Sequence, residues 1–142
     1  TADAFPTAAE IVRFLRRCLD AGVPSKATAG LHHPLRGEFR LTYASDSPRV
    51  TMYGYLNMIL CAAAMSHGVS DKEAVAILEL TDVAAISITE DGVQIAGAEI
   101  PVAAIVAARA QSVVAVGSCS FREPVDELGL LLQSVSRTPR VN

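Results

Sequence analysis

The stretch Pro24-Ser-Lys-Ala-Thr-Ala-Gly-Leu-His-His-Pro-Leu-Arg36 decides how the rest of this chain is interpreted. It follows a helix that we expect to end at Gly22, and its short side chains show no helical periodicity. We expect a buried strand over residues 23–29 that opens at Gly30 into a polar loop. A lysine inside such a strand, followed by two adjacent histidines where the strand ends, is typical of a functional site.

The composition is typical of one aliphatic domain. The chain has 142 residues, is 51% hydrophobic and contains no tryptophan. A chain of this length buries roughly 70% of its unfolded surface, so residues 1–142 are interpreted as a single α/β domain. Because the chain begins at a threonine shortly before a helix cap, a fragment of a longer protein is a second interpretation.

The net charge and the cysteine content limit the classes of binding partner and the cellular compartment. A net charge of -3 offers no basic face for nucleic acid. Three widely spaced cysteines without metal-type spacing predict a reducing, cytoplasmic environment. Residues 50–70 carry no charged side chain, but their solidly apolar part covers only residues 58–65, which is too short to span a bilayer. We therefore predict no nucleic-acid or membrane partner.

Local patterns predict most of the helices and strands. Two capping boxes, Thr7 to Glu10 and Ser70 to Glu73, each predict the start of a helix. The other expected elements are helices at 53–67, 101–111 and 124–133, a β-hairpin at 86–95 around a Glu90-Asp91-Gly92 turn, and a strand buried on both faces at 113–116. Residues 36–49 fit a short strand or a flexible loop equally well, and 134–142 are expected to form a flexible tail.

Two strand ends carry polar side chains, one in residues 26–36 and the other in residues 117–123. The carboxyl ends of parallel strands meet at one edge of a sheet, where loops and helix N-termini converge. We therefore expect a single cleft between them. The side chains expected around it are those of Lys26, Thr28, His32, His33, Ser118, Cys119 and Ser120.

Lys26 is the candidate nucleophile. Burial disfavours the charged form of an amine, so a buried lysine is nucleophilic at neutral pH and can form a Schiff base with a carbonyl compound. The alternative is a lysine at the strand edge that pairs with a carboxylate or extends into solvent.

His32 and His33 are candidate catalytic acid–base groups, because histidine titrates near neutrality. A structural role in the loop is the alternative. Adjacent side chains diverge in an extended loop, so the pair is a poor metal motif, and the sequence assigns no metal ligand and no cofactor. A metal-dependent hydrolase is kept as a third functional class.

The second strand end is a candidate anion site. Free backbone N–H groups at a helix start bind anions, and Gly117, Ser118 and Ser120 would supply such groups together with two hydroxyls. The alternative for Ser120 is ordinary helix capping. Cys119 is either a nucleophile near the helix start or a small buried side chain.

Three further residues complete the predicted substrate site. Thr28 and Arg36 lie in the first segment, and Asn57 begins an otherwise apolar helix. Asn57 either points into the cleft or caps the helix.

Two resemblances extend these interpretations. The phrases Lys26-Ala-Thr-Ala-Gly-Leu-His-His-Pro, Tyr53-Gly-Tyr-Leu-Asn and Gly117-Ser-Cys-Ser-Phe-Arg-Glu-Pro resemble the C-terminal half of a bacterial protein family of unknown function. That family has histidine where this chain has Tyr53. Its proline at the position of Pro24 is usually followed by phenylalanine, where this chain has Ser25. This resemblance implies that the chain has relatives, but it does not imply which reaction, if any, they catalyse.

Lys26-Ala-Thr-Ala-Gly is also similar to the lysine-bearing strand end of deoxyribose-phosphate-aldolase-like (β/α)8 barrels, where the lysine forms a Schiff base. Val116-Gly-Ser-Cys-Ser is similar to the phosphate-binding strand end of the same barrels, and the order of the two segments agrees.

The predicted architecture is α/β, with parallel strands and packed helices that resemble the C-terminal half of a (β/α)8 barrel, plus a β-hairpin. The predicted partner is a small anionic carbonyl compound or sugar phosphate, handled by aldolase- or lyase-like chemistry. A non-catalytic α/β scaffold or interaction domain is the alternative. Because a half barrel leaves strand edges open, we also expect a homo-oligomer.

Overall fold

The structure, a computed structural model, describes residues 5–28 and 30–138, and the side chains of those up to residue 135. Its helices are α1 (Ala8–Ala21), α2 (Tyr55–Ser66), α3 (Asp71–Glu79), α4 (Val102–Gln111) and α5 (Arg122–Ser134). Its strands are β1 (Ser25–Ala27), β2 (Gly37–Arg40), β3 (Arg49–Met52), β4 (Ile86–Thr89), β5 (Gly92–Ile95), β6 (Ala98–Pro101), β7 (Val113–Val116) and β8 (Ser136–Thr138). The fold is mixed α/β, as predicted.

Both predicted capping boxes are present. The Thr7 hydroxyl accepts a hydrogen bond from the Glu10 N–H at 3.3 Å, and the Glu10 carboxylate accepts one from the Thr7 N–H at 2.8 Å. Ser70 and Glu73 repeat this arrangement at the start of α3. The hydrogen bond from the Thr7 side chain is the main reason why the pKa of Glu10 is lowered. Helix α1 ends as predicted at Gly22, whose φ of 64° suits glycine.

Helix α2 is the centre of the core. It packs against α4, α3 and α1, and its alanine-rich surface lets these neighbours approach closely. Cys61 and residues 62–64 of α2 are fully buried, as are Ile77 and Ile100 on neighbouring elements. Burial raises the pKa of the Cys61 thiol to about 12, so this thiol stays protonated. Among the described residues, no helix is long and apolar enough to cross a membrane.

The strands form three small sheets. β1 pairs in parallel with β7, β2 pairs in antiparallel fashion with β3, and a third sheet has the order β6-β5-β4-β8. The predicted hairpin is β4–β5, with Ile86 opposite Ile95. The half-barrel part of the prediction is not confirmed, because the β1–β7 sheet contains only two strands among the described residues.

The strand predicted over residues 23–29 is shorter and more exposed than expected. β1 covers Ser25–Ala27, Val23 is 53% exposed, and Lys26 is exposed. The partner strand β7 has the predicted bounds, but Val114 is 46% exposed, so the prediction of burial on both faces is wrong. A sheet of two strands has an open edge on each side and is too narrow to be covered on both faces.

The structure also shows strands that local patterns did not reveal. β3 pairs with β2, and β6 and β8 complete the four-stranded sheet. A strand and a flexible loop were both left open for residues 36–49, and the structure has the strand β2 there. β8 pairs in parallel with the free edge of β4, within the segment for which the sequence predicts a flexible tail. Residues 139–142 of that segment lie outside the described part of the chain.

Candidate functional site

The loop after β1, the β2–β3 hairpin and the segment from β7 into α5 enclose a cavity of about 320 Å³. We call it the His32 cleft. Its polar and charged lining residues are His32, His33, Arg40, Thr42, Tyr43, Arg49, Cys119 and Glu123. The two segments that the sequence singled out therefore both contribute to one cleft.

His32 makes the most polar contacts in this cleft. Its Nδ1 lies 3.0 Å from the Ser118 hydroxyl and 3.9 Å from a carboxylate oxygen of Glu123. The Cys119 Sγ lies 3.6 Å from the same imidazole. An imidazole beside a thiol, a hydroxyl and a carboxylate can accept a proton and be stabilised when charged.

Tyr43 closes one side of the cleft. Its hydroxyl donates a hydrogen bond to Glu123 Oε2 at 2.9 Å and lies 4.0 Å from the Cys119 Sγ. The hydrogen bond to the Glu123 carboxylate is the main reason why the pKa of Tyr43 is raised to about 12. The phenol is therefore protonated at neutral pH, and its single O–H is donated to Glu123. Cys119 is exposed, contrary to the alternative of a small buried side chain.

His33 lies deeper than His32 and is 9% exposed. Its ring stacks on Phe39 with a centroid separation of 3.4 Å and an interplanar angle of 12°. Its Nδ1 lies 2.8 Å and 3.0 Å from the two carboxylate oxygens of Glu127. These contacts fix the imidazole in one orientation, so the two adjacent histidines have different surroundings.

Helix α5 positions both carboxylates. Glu123 and Glu127 are four residues apart and so project from the same face of the helix. Ser120 accepts a hydrogen bond from the Glu123 N–H at 3.2 Å, which is the capping role considered for it. The Tyr55 hydroxyl donates to the Pro124 carbonyl at 2.7 Å and ties the start of α2 to the start of α5. Burial, and next the charge of Glu127, raise the pKa of Tyr55 to about 12.

Arg40 and Arg49 give the cleft a cationic wall. They lie opposite each other on β2 and β3. The Arg40 guanidinium donates to the Ser45 carbonyl and the Arg49 guanidinium to the Glu38 carbonyl. Each guanidinium carries five N–H donors, so such contacts leave donors for an anion.

Lys26 and Thr28 line a different cavity. This cavity measures about 340 Å³, and Glu10, Phe14 and Tyr53 also line it. Lys26 does not line the His32 cleft. The sequence argument for a nucleophile relied on a buried amine, and the Lys26 side chain is exposed.

Gly117 lies between the two strand ends. Its N–H donates to the Ala27 carbonyl at 2.8 Å, and a Cβ at this position would lie 3.3 Å from Thr28 Cγ2. Its N–H is thus used to extend the β1–β7 pairing rather than to face the cleft.

Asn57 lies in the protein interior, and the half-buried Arg36 contacts it. Asn57 is fully buried, and its amide donates to the carbonyls of Ile77 at 2.8 Å and Leu80 at 3.0 Å. Its Oδ1 accepts a hydrogen bond from the Arg36 N–H at 2.9 Å. The Arg36 guanidinium lies over the Tyr53 ring at 5.6 Å. These contacts join the loop that carries His32 and His33 to α2 and α3, so both residues have a structural role.

Several residues at the cleft were not among the predicted site residues. They include Phe39, Arg40, Tyr43, Arg49 and Glu123, together with Glu127, which contacts His33 from outside the cavity lining. The spacing of Glu123 and Glu127 is a signal that could have been used, because it places two carboxylates on one helix face after a polar strand end. The hairpin residues carry no such signal, since their approach depends on the β2–β3 pairing.

No family model, curated protein or solved structure matches the chain. The resemblances to a bacterial family and to aldolase-like barrels therefore remain predictions from the residues alone.

Proposed function

We propose that the His32 cleft binds a small anionic carbonyl compound, such as a sugar phosphate, and that His32 transfers a proton during an aldolase- or lyase-like reaction. The observation that carries this proposal is the position of the His32 imidazole, within 3.9 Å of the Ser118 hydroxyl, the Cys119 thiol and the Glu123 carboxylate. A positioned imidazole typically contributes 10²–10⁴-fold to proton transfer.

The other charged and polar side chains of the cleft would bind the substrate or stabilise His32. Arg40 and Arg49 would hold the phosphate or carboxylate, because guanidinium groups pair well with such anions. The Tyr43 phenol would hold the Glu123 carboxylate beside His32, because its single O–H donates to Glu123 Oε2. Glu123 would stabilise the imidazolium form of His32.

The resemblance to a half (β/α)8 barrel is part of this proposal only. Its support is the parallel pairing of β1 with β7, because parallel strands send their following loops to the same edge. His32 follows β1 and Cys119 follows β7, so the cleft lies where ligands bind in parallel α/β sheets.

Binding is tested first, by calorimetry with pyruvate, dihydroxyacetone phosphate and inorganic phosphate. We expect at least one of these anions to bind, and Arg49→Ala to weaken its binding about tenfold or more through loss of a charge-assisted hydrogen bond. Arg109→Ala on the exposed surface of α4 is the matched control and should bind normally. If no anion binds, or if both variants bind like the native chain, the proposal fails.

Conversion of the bound compound is tested next, with products identified by NMR. His32→Ala should lower the rate by at least about 100-fold. His67→Ala, which removes an exposed histidine at the end of α2, should leave the rate unchanged. Binding without conversion would favour the scaffold alternative over an enzyme.

The Schiff-base hypothesis is separate, because Lys26 lines another cavity. Borohydride trapping with the same carbonyl compounds should label Lys26 if the aldolase chemistry is covalent. Absence of an adduct would exclude that chemistry and would leave acid–base chemistry at His32 standing.

A further inference from the structure

His33, Glu123 and Glu127 form a cluster whose chemistry the sequence did not reveal. One ligand atom from each of the three side chains lies within 4.8 Å of the other two. The cluster combines one imidazole with two carboxylates, and two of its members, His33 and Glu123, line the His32 cleft. We propose that it binds one divalent metal ion, with Zn²⁺ the preferred ion and Mn²⁺ the alternative.

The donor set fits such an ion. Imidazole nitrogen suits zinc, and carboxylate oxygen suits both zinc and manganese. Three protein ligands leave positions open for water or substrate, which is the pattern of zinc sites that are not purely structural. The sequence argument rejected the adjacent histidines as a pair, and that reasoning does not apply here because only His33 is a ligand.

The geometry requires a small adjustment. Metal bonds of about 2.0–2.2 Å place ligand atoms at most about 4.4 Å apart. Glu127 already faces His33 Nδ1 with both oxygens, at 2.8 Å and 3.0 Å. The Glu123 side chain is 29% exposed, so a change of its rotamer can close the remaining gap.

The surroundings hold the ligands in place. Phe39 stacks on the His33 ring, and the side chain of His33 is only 11% exposed. The Tyr43 hydroxyl donates to Glu123, which is the type of hydrogen bond that orients a metal-bound carboxylate. Two carboxylates on one helix face repel each other, and a cation between them removes that repulsion.

The ion would lie between His33 Nδ1 and the Glu127 carboxylate, which are 2.8 Å apart in the structure. None of the three ligands needs a carbonyl substrate, and the inference therefore does not rest on the proposed function.

Calorimetric titration of the chelator-treated chain with Zn²⁺ and Mn²⁺ tests the inference, with elemental analysis giving the stoichiometry. We expect one ion per chain. Glu127→Gln, which keeps the shape of the side chain, should weaken binding at least tenfold. Asp126→Asn is the matched control, because this neighbouring carboxylate on α5 is exposed and should not contribute.

A thiol site for zinc is the competing explanation, because Cys119 and His32 also lie together. Cys119→Ser should leave the affinity unchanged if the ion lies on His33, Glu123 and Glu127. Loss of binding in Cys119→Ser with normal binding in Glu127→Gln would overturn the inference, as would the absence of any stoichiometric ion. The anion titration is repeated with the chelator-treated chain to keep the two proposals apart. Anion binding that depends on Arg49, together with the absence of a stoichiometric ion, would overturn this inference and leave the proposed function standing.

Discussion

Replacing Asn57 with alanine should destabilise the fold severely. Asn57 was a candidate substrate-binding residue, but the structure buries it completely with all of its polar atoms engaged. The change removes three hydrogen bonds and leaves the Arg36 N–H and the carbonyls of Ile77 and Leu80 without this partner.

The magnitude follows from the burial of those partners. A buried polar group left unsatisfied costs about 1–3 kcal/mol, and the Arg36 N–H, which donates to Asn57 Oδ1, is the group that incurs this cost. The Ile77 carbonyl keeps a longer hydrogen bond from the Leu80 N–H at 3.4 Å, and the contact to the Leu80 carbonyl is only partly buried, so about 1 kcal/mol is expected for each of these two. The free energy of unfolding should therefore fall by about 3–5 kcal/mol, a large part of the stability of a typical domain.

Urea unfolding followed by circular dichroism measures this change. Gln111→Ala is the control, because this amide side chain is exposed at the end of α4 and should change stability by less than about 0.5 kcal/mol. A fall of less than about 1 kcal/mol for Asn57→Ala would refute the reasoning. So would normal stability combined with loss of anion binding, because that result would place Asn57 in the site.

Three further predictions follow from the fold. Gly54→Ala should destabilise the chain by about 1–3 kcal/mol in thermal unfolding, because the added Cβ would overlap the Pro34 carbonyl. Gly129→Ala should instead stabilise it by about 0.5–1 kcal/mol, since a helical Cβ there meets nothing within 4 Å; equal effects of the two changes would contradict this. In ultraviolet titration, Tyr43 and Tyr55 should ionise at about pH 12 in the native chain and near pH 10 when unfolded. Their folded pKa is raised, so the stability they contribute is complete below about pH 10 and is lost as pH rises toward 12; native midpoints near 10 would contradict this. Light scattering after size exclusion should show a dimer or larger assembly, because no other strand of the described residues pairs with the outer edges of β1 and β7; a clean monomer at high concentration would count against it.

The sequence was sufficient for features that depend on neighbouring residues. The capping boxes at Thr7 and Ser70 involve residues three apart, and the β4–β5 hairpin is set by its own turn. Helix α2 was recognised from its apolar run, residues 58–65, which covers most of the helix. In each case the decisive contacts lie within a dozen residues, so no knowledge of the tertiary fold was needed.

Burial and strand pairing could not be predicted in the same way. Lys26 was placed in a strand that was expected to be buried, with a lysine extending into solvent as the alternative. It lies in a sheet that has two strands in the described part of the chain, and its side chain is exposed. β8 pairs with β4 across about fifty residues of chain, and no local pattern encodes that register. Asn57 is a polar residue in an apolar helix. This pattern does not reveal whether its side chain faces a cleft or the core.

The candidate site also has one part that the sequence predicted and one part that it did not. The expectation that parallel strand ends share an edge places His32 near Cys119, and the structure has them 3.6 Å apart. Tyr43 reaches this cleft from the loop between β2 and β3, which the sequence treated as a strand or a flexible segment alike. Its contribution depends on a hairpin whose second strand, β3, was not predicted.

The central claim is that His32 moves a proton on a bound carbonyl compound. It is tested most directly by NMR in deuterated water, where exchange of the proton next to the carbonyl of pyruvate or dihydroxyacetone phosphate is followed over time. We predict exchange catalysed by the native chain and by His67→Ala, and exchange at least about 100-fold slower with His32→Ala. Equal exchange rates for His32→Ala and the native chain, or no catalysed exchange at all, would contradict the claim.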